Sequence, residues 1–164
     1  MKTVNITSSN IHWKGKKPLG SHEGTIALKE GYFEMENDEI TGGKFVIDMD
    51  SMSSTDLEGE TKGQLEGHLK SDDFFGVENH PTATLDITEA KKTASGYDMV
   101  GDLTIKGTTK PVNFDMKVDG NTATTAIKVD RSQFNIRFGS KSFFKNLGDK
   151  FVNDNFELDI TLKM

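Results

Sequence analysis

Most of the chain alternates apolar and polar residues with a period of two, the pattern of strands that keep one dry face. Ile11 and Trp13 share a face of a first strand over 11–15, which Pro18 and Gly20 interrupt. Gly24, Ile26 and Leu28 set against Thr25, Ala27 and Lys29 mark a second strand. Gly31 then leads into Tyr32-Phe33-Glu34-Met35, and Asn37-Asp38 supplies a hairpin turn. Glu39 to Met49 follows, with Phe45, Ile47 and Met49 on one side. Beyond position 80, Ala83, Leu85 and Ile87 share a face, and after a turn at Ala94-Ser95-Gly96 so do Tyr97, Met99, Gly101, Leu103 and Ile105. Residues 107–111 turn the chain into Val112, Phe114, Met116 and Val118, whose neighbours Asn113, Asp115, Lys117 and Asp119 are polar. Asp119-Gly120-Asn121 is the strongest turn signal. Thr122 to Val129 is another strand, Phe134, Ile136 and Phe138 continue the alternation, and Phe156, Leu158, Ile160 and Leu162 end it.

The period changes twice. Ser53-Ser54-Thr55-Asp56 are turn and cap residues, and Leu65 and Leu69, four apart, predict a helix over 61–70 with one inward stripe. Gly63 and Gly67 each weaken it by about 1 kcal/mol relative to Ala, so it must be held by what it packs on. Phe74 and Phe75 follow as anchors, and Pro81 ends the crossover. Ser140 to Gly148 reads as a second, short amphipathic turn with its own pair, Phe143-Phe144.

About eight strands with one dry face each predict an all-β fold, either a sandwich or an eight-stranded antiparallel barrel. Closure removes exposed edges, and two short helices carrying Phe-Phe pairs suit the covered mouths of a barrel better than a sandwich. The 164 residues fit one domain, 1–164. Hydrophobic residues make up only 34%, concentrated in 11 Phe, 7 Met and aliphatics at alternating positions, which suits a thin-walled or hollow architecture. Met35, Met49, Met99 and Met116 on dry faces suit a flexible apolar guest, and Gly24 and Gly101 leave room for one. A core packed with the protein's own side chains would show the same periodicity.

The formal net charge is −6, and the basic residues are scattered singly, without the clustered cationic face that nucleic acid requires. There is no Cys, which excludes thiolate catalysis and thiolate metal sites. No apolar run reaches the length of a transmembrane helix. Residues 1–6 enter a polar, alternating stretch directly, which points to a cytoplasmic protein or a mature form. His12, His22, His68 and His80 lack metal-binding spacing and read as solvent or loop histidines. Asp48-Met49-Asp50 and Asp72-Asp73 lack the Gly and Glu of a calcium loop, and neither a Gly-x-Ser-x-Gly elbow nor a phosphate loop occurs. No catalytic residue, metal site or cofactor is expected.

Two long motifs carry a family resemblance. Over 65–85 the chain reads Leu-x-x-x-Leu-Lys-Ser-x-Asp-Phe-Phe-x-x-x-x-x-Pro-x-Ala-x-Leu, and from Gly101 to Phe114 it reads Gly-Asp-Leu-Thr-Ile-Lys-Gly-Thr-Thr-Lys-Pro-Val-Asn-Phe. Both resemble signatures of the YceI-like family of lipid-binding proteins, and Arg131-Ser132-Gln133-Phe134 resembles its late Arg-x-x-Phe. Trp13-Lys14-Gly15 departs from the Phe or Val common there. The resemblance implies a lipocalin-like barrel enclosing a polyisoprenoid or similar amphiphile, such as a polyprenyl phosphate or quinone, in a periplasmic or secreted protein. It implies a tunnel lined by Phe45, Ile47, Leu85, Ile87, Met99, Leu103, Ile105, Phe114, Met116, Phe156 and Leu158. Phe74, Phe75, Phe143 and Phe144 would cover or gate it, with His68, Lys70 and Lys141 near the mouth.

Three classes of function compete. The first is a non-enzymatic binder, store or carrier of an isoprenoid lipid or other long apolar small molecule. The second is a barrel-type enzyme acting on a small apolar substrate. It would need a polar pair inside, and the dry strand faces offer no ionisable residue except Tyr97. The third is a structural or stress-associated interaction module with a filled core. Edge or barrel-end contacts would allow a homodimer.

Overall fold

The computed structural model describes residues 2–17, 20–71, 74–134, 136 and 155–164. Its strands are β1 (Lys2–Asn5), β2 (Ser8–Lys17), β3 (Gly20–Glu36), β4 (Glu39–Ser54), β5 (Thr82–Lys92), β6 (Gly96–Ile105), β7 (Thr108–Asp119), β8 (Thr122–Asp130) and β9 (Asn155–Lys163). Among the described residues one helix, α1 (Gly59–Lys70), joins β4 to β5, and a 3-10 turn, Arg131–Phe134, follows β8. The sheet runs β3-β2-β9-β8-β7-β6-β5-β4 and closes through β3–β4, so eight antiparallel strands form a barrel and β1 is added outside the ring.

β1 was not expected, and it is best understood as the front half of β2. Both pair with the same edge of the long β3, Lys2 opposite Met35 and Ile11 opposite Ile26. Between them the chain changes partner, with the Ile6 amide donating to Gly31 and the Thr7 amide to Lys163. The two segments expected on either side of Gly31 are one strand. Instead of breaking, β3 absorbs its irregularities as register shifts against β4, between Thr25 and Ala27 and between Leu28 and Glu30.

The turn expected over 107–111 is shorter. Lys106 and Gly107 have φ of 51° and 79°, and β7 starts at Thr108 with Pro111 inside the strand, opposite Asp102. A proline is tolerated there because β7 pairs with β8 only from Met116 to Asp119, leaving no ladder on that side of Pro111. Asn37-Asp38, with φ of 53° and 64°, is the two-residue hairpin turn the sequence announces. Phe134 falls in the 3-10 turn rather than in a continuing strand. Phe138 and the second amphipathic turn, 140–148, lie outside the described residues.

The barrel has unlike ends. At one, the connections are short hairpins, β3–β4, β5–β6 and β7–β8. That end is filled by side chains: Phe33, Ile40, Tyr97 and Met99 are all at most 6% exposed. Tyr97 keeps its polar atom satisfied by accepting the Ile40 amide at 3.0 Å. At the other end lie α1, the 3-10 turn and the β6–β7 connection.

Candidate functional site

Between the plugged end and α1 the barrel encloses a cavity of about 510 Å³, inside the ~300–1,000 Å³ range of small-molecule sites. Period-two alternation builds its wall: Ile11, Trp13 and Gly15 from β2, Phe45, Ile47 and Met49 from β4, Leu103 and Ile105 from β6, Phe156, Leu158, Ile160 and Leu162 from β9. Phe33, edge-on to Phe45 at 5.1 Å, is shared between the wall and the plug.

Of the residues expected on the tunnel, Phe45, Ile47, Leu85, Ile87, Leu103, Ile105, Phe114, Met116, Phe156 and Leu158 lie on this wall. Met99 is not on it: at 0% exposed it belongs to the packed end, paired with Phe114 on β7 and Ala90 on β5. Phe143 and Phe144, and Lys141 at the mouth, lie outside the described residues. Lys70 is not among the lining residues and reaches Asp50 at 3.6 Å instead.

Gly24 and Gly101 do not leave room for a guest. A Cβ on Gly24 would overlap the Ser53 carbonyl and meet Trp13 Cζ2 at 2.5 Å, and one on Gly101 would meet Leu85 Cδ1 at 2.8 Å. Both glycines admit protein. On the cavity wall it is Gly15 that opens on empty space: an added Cβ there would meet nothing within 4 Å.

The helix end is covered by α1 and the turn behind it. Leu65 and Leu69 face the cavity as the spacing predicts, yet α1 has no fully buried residue, consistent with a helix laid over a hollow. Its N-cap is Glu58, which makes no side-chain capping bond. The expected cap residues tie the preceding loop to the barrel: Ser54 Oγ donates to Asp56 at 2.7 Å, and Asp56 faces His22 Nδ1 at 2.9 Å. Burial alone would raise the Asp56 carboxyl, but hydrogen bonds from Ser54, His22 and the Glu23 backbone, with the His22 charge, outweigh it and hold the group below its usual value. Glu66 Oε1 accepts from the Ser54 amide at 2.9 Å and so fastens α1 to β4. Behind α1, the amides of Phe75 and Val77 donate to the Leu69 and Lys70 carbonyls, pinning the Phe-Phe pair inward. Phe75 meets Phe156 edge-on at 6.0 Å across the mouth.

Sequence reading missed most of the polar part of the wall. His68, expected near the mouth, does line the cavity, but so do His22, Thr125 and Arg131, which were not expected there, whereas Tyr97, the ionisable residue expected on a dry face, is in the plug. His22 shares the parity of Gly24 and Ile26, so extending β3 by one step would have found it. Arg131 follows a strand and carried no periodic signal. It is 3% exposed, donates from Nη1 to the Ile136 carbonyl at 3.0 Å, and stands 5.4 Å from the Phe74 ring centre. His68 meets the same ring edge-on at 4.9 Å. Among the described residues no three His, Asp or Glu side chains group as a metal site requires, and no helix is long and apolar enough to cross a membrane.

Comparison with solved structures gives the same architecture. The chain superposes on Burkholderia cenocepacia BcnA with TM-score 0.70 at 20% identity, over 94% of each chain. It superposes on a polyisoprenoid binding domain from Saccharophagus degradans, implicated in plant cell wall breakdown, with TM-score 0.69 at 11% identity, over 96% of this chain and 95% of that one. At these identities the likeness is one of fold. Curated relatives include a UPF0312 protein of Yersinia enterocolitica, 36% identical over 88 residues, 54% of this chain and 43% of that protein. A UPF0312 protein of Pectobacterium atrosepticum is 49% identical over 53 residues, 32% of this chain and 28% of that one. The matched stretches thus span less than half the length of these relatives. The YceI-like domain model matches residues 3–164, and the chain belongs to that family.

Proposed function

We propose that the chain binds a long-chain isoprenoid amphiphile, polyprenyl phosphate or quinone-like, with its tail in the barrel, and acts without catalysis as a store or carrier. One observation carries the reading: a closed barrel, plugged at one end, holds a cavity of about 510 Å³ walled almost wholly by apolar side chains. Each CH2 group taken out of water contributes ~0.8 kcal/mol before ordering costs, so a tail alone supplies affinity. With the hairpin end filled by Phe33, Ile40, Tyr97 and Met99, a guest enters tail first past α1 and leaves the same way. The binding of polyisoprenoid by the Saccharophagus degradans domain supports the choice of ligand class.

A periplasmic or secreted setting belongs to the same reading, since a carrier is needed where amphiphiles must cross water, and a homodimer is compatible with it. The test is native mass spectrometry of the purified chain, followed by organic extraction and accurate mass of the extract. One isoprenoid per chain is expected. A chain that carries and takes up no lipid, including from added polyprenol, would defeat the reading in favour of an interaction module.

A further inference from the structure

We propose that Phe33 is the floor on which the far end of the tail comes to rest, so that this residue sets how many isoprene units the cavity buries. This rests on the apolar-cavity reading above and adds a selection by length to it. Of the side chains that fill the hairpin end, Ile40, Tyr97 and Met99 are cut off from the cavity, whereas Phe33 also borders it. Phe114 and Met116 carry the wall down to that level, each in register with a plug residue, Met99 and Tyr97. The hairpin connections below, β3–β4, β5–β6 and β7–β8, all lie among the described residues.

The floor is held from several sides. Phe33 is 1% exposed and pairs with Gly43 on β4, where an added Cβ would meet Phe33 Cδ1 at 3.4 Å. Phe45 stands edge-on to it at 5.1 Å. Among the other plug residues Met99 is fully buried, and the Tyr97 hydroxyl accepts the Ile40 amide at 3.0 Å. Close-packed side chains of this kind do not yield to an apolar tail pressing on them, because moving them forfeits contacts that the tail would only replace. A tail longer than the cavity leaves its extra units beyond α1 in water, where they add no burial energy. Affinity therefore rises with each isoprene unit until the floor is reached and is level beyond that length. Removing the Phe33 ring opens space for about six carbon atoms, about one isoprene unit, less what the surroundings reclaim by collapse.

The test offers the unmodified chain, Phe33→Ala and Met99→Leu the same equimolar mixture of prenols, from geraniol through farnesol and geranylgeraniol to decaprenol, in one volatile detergent. Native mass spectrometry then counts the bound species. Decaprenol, with about fifty carbon atoms, is longer than a cavity of about 510 Å³ holds at ~30 Å³ per water-sized group. The detergent's own preference is common to the three proteins and cancels when they are compared. In the unmodified chain affinity should climb with length and then level. In Phe33→Ala the levelling point should move out by one isoprene unit, the prenol one unit past the old point gaining at least about tenfold over its shorter neighbour. Met99→Leu, a substitution of similar volume away from the cavity, should leave the point where it was. A folded Phe33→Ala chain with an unmoved levelling point overturns the floor, as does affinity that climbs all the way to decaprenol in the unmodified chain; both leave tail binding standing. No prenol bound by the unmodified chain overturns the cavity reading beneath it. If Phe33→Ala does not fold, the unmodified chain decides: a prenol of the levelling length with a diazirine on its last isoprene unit should label Phe33, Phe114 or Met116. Label at Leu65 or Leu69 instead would put the tail end under α1 and overturn the floor.

Discussion

Gly15→Phe should fill the cavity without harming the barrel. Gly15 lies on the wall in β2, in step with Ile11 and Trp13, and a Cβ there meets nothing within 4 Å. Its φ is outside the left-handed region that favours glycine, so a side chain imposes no backbone strain. A benzyl group adds about seven carbon atoms to the cavity, and at ~0.8 kcal/mol per CH2-sized group a guest giving up that space loses at most about 6 kcal/mol of tail burial. That bound corresponds to more than three decades in Kd, and a tail that can shift outward loses less, so a drop of about a hundredfold or more is expected. Stability should rise, because glycine is a poor strand residue and the new ring is buried. Lys14→Phe places the same ring on the opposite face of β2 and is the control. Tm and dye or polyprenol binding, measured on the three proteins, give the answer. A folded Gly15→Phe chain of unchanged or higher Tm that binds as tightly as the unmodified protein would show that the guest does not occupy this cavity.

Other perturbations test the frame around it. Tyr97→Phe removes the acceptor for the buried Ile40 amide, at a cost of about 1–3 kcal/mol, read as a fall in Tm of about 2–4 °C per kcal/mol; an unchanged Tm would mean that the plug is not closed by this bond. Gly24→Ala drives a methyl into the Ser53 carbonyl and Trp13 and should cost about 3 kcal/mol or more, whereas Gly63→Ala, with open space on α1, should gain up to about 1 kcal/mol. Thermal melts that fail to separate the two glycines would contradict the packing at Gly24. Asp56→Asn tests the clasp on His22. Because the folded state holds this carboxyl below its ordinary value, its contribution is present above the unfolded value near ~3.9 and is lost as pH falls through the lower folded value. The Tm gap between the two proteins should therefore persist at pH 5 and close in more acidic solution; a gap already absent at pH 5 would rule the clasp out.

The barrel wall was legible because alternation is a local property. Tyr97 to Ile105 and Val112 to Val118 show their dry faces residue by residue, and the structure buries Tyr97, Met99, Leu103, Ile105, Phe114 and Met116 as the parity demands. Parity cannot say how deep a position lies. Met99 and Leu103 share a face, yet the first is in the plug and the second on the cavity, because depth depends on how eight tilted strands are staggered around the ring. Glycine was misread for a related reason. From sequence, Gly15 and Gly24 look alike, but Trp13 occupies the space above Gly24 and nothing occupies that above Gly15. Arg131 was legible as part of the Arg-x-x-Phe motif but not as a wall residue, because a single cation after a strand carries no periodic signal of depth, and only its burial and its place against Phe74 show it to be interior.

The unequal ends of the barrel follow from how its strands are joined. At the hairpin end every connection is short, as at Asn37-Asp38 and Gly120-Asn121, no helix intervenes, and Phe33, Ile40 and Tyr97 close the bottom with side chains alone. At the other end β7 separates from β8 above Met116, and a longer connection carries α1 across the opening. A helix with two interior glycines has too little support of its own to stand there. What holds it is Glu66 on Ser54 at its middle, Lys70 on Asp50 at its end, and Leu65 and Leu69 against the cavity. Half of that attachment is polar and exchangeable with water, and the other half is apolar contact with whatever fills the space below. The segment richest in family signature is thereby also the part of the fold that a guest in the cavity would touch directly, through Leu65, Leu69, Phe74 and Phe75.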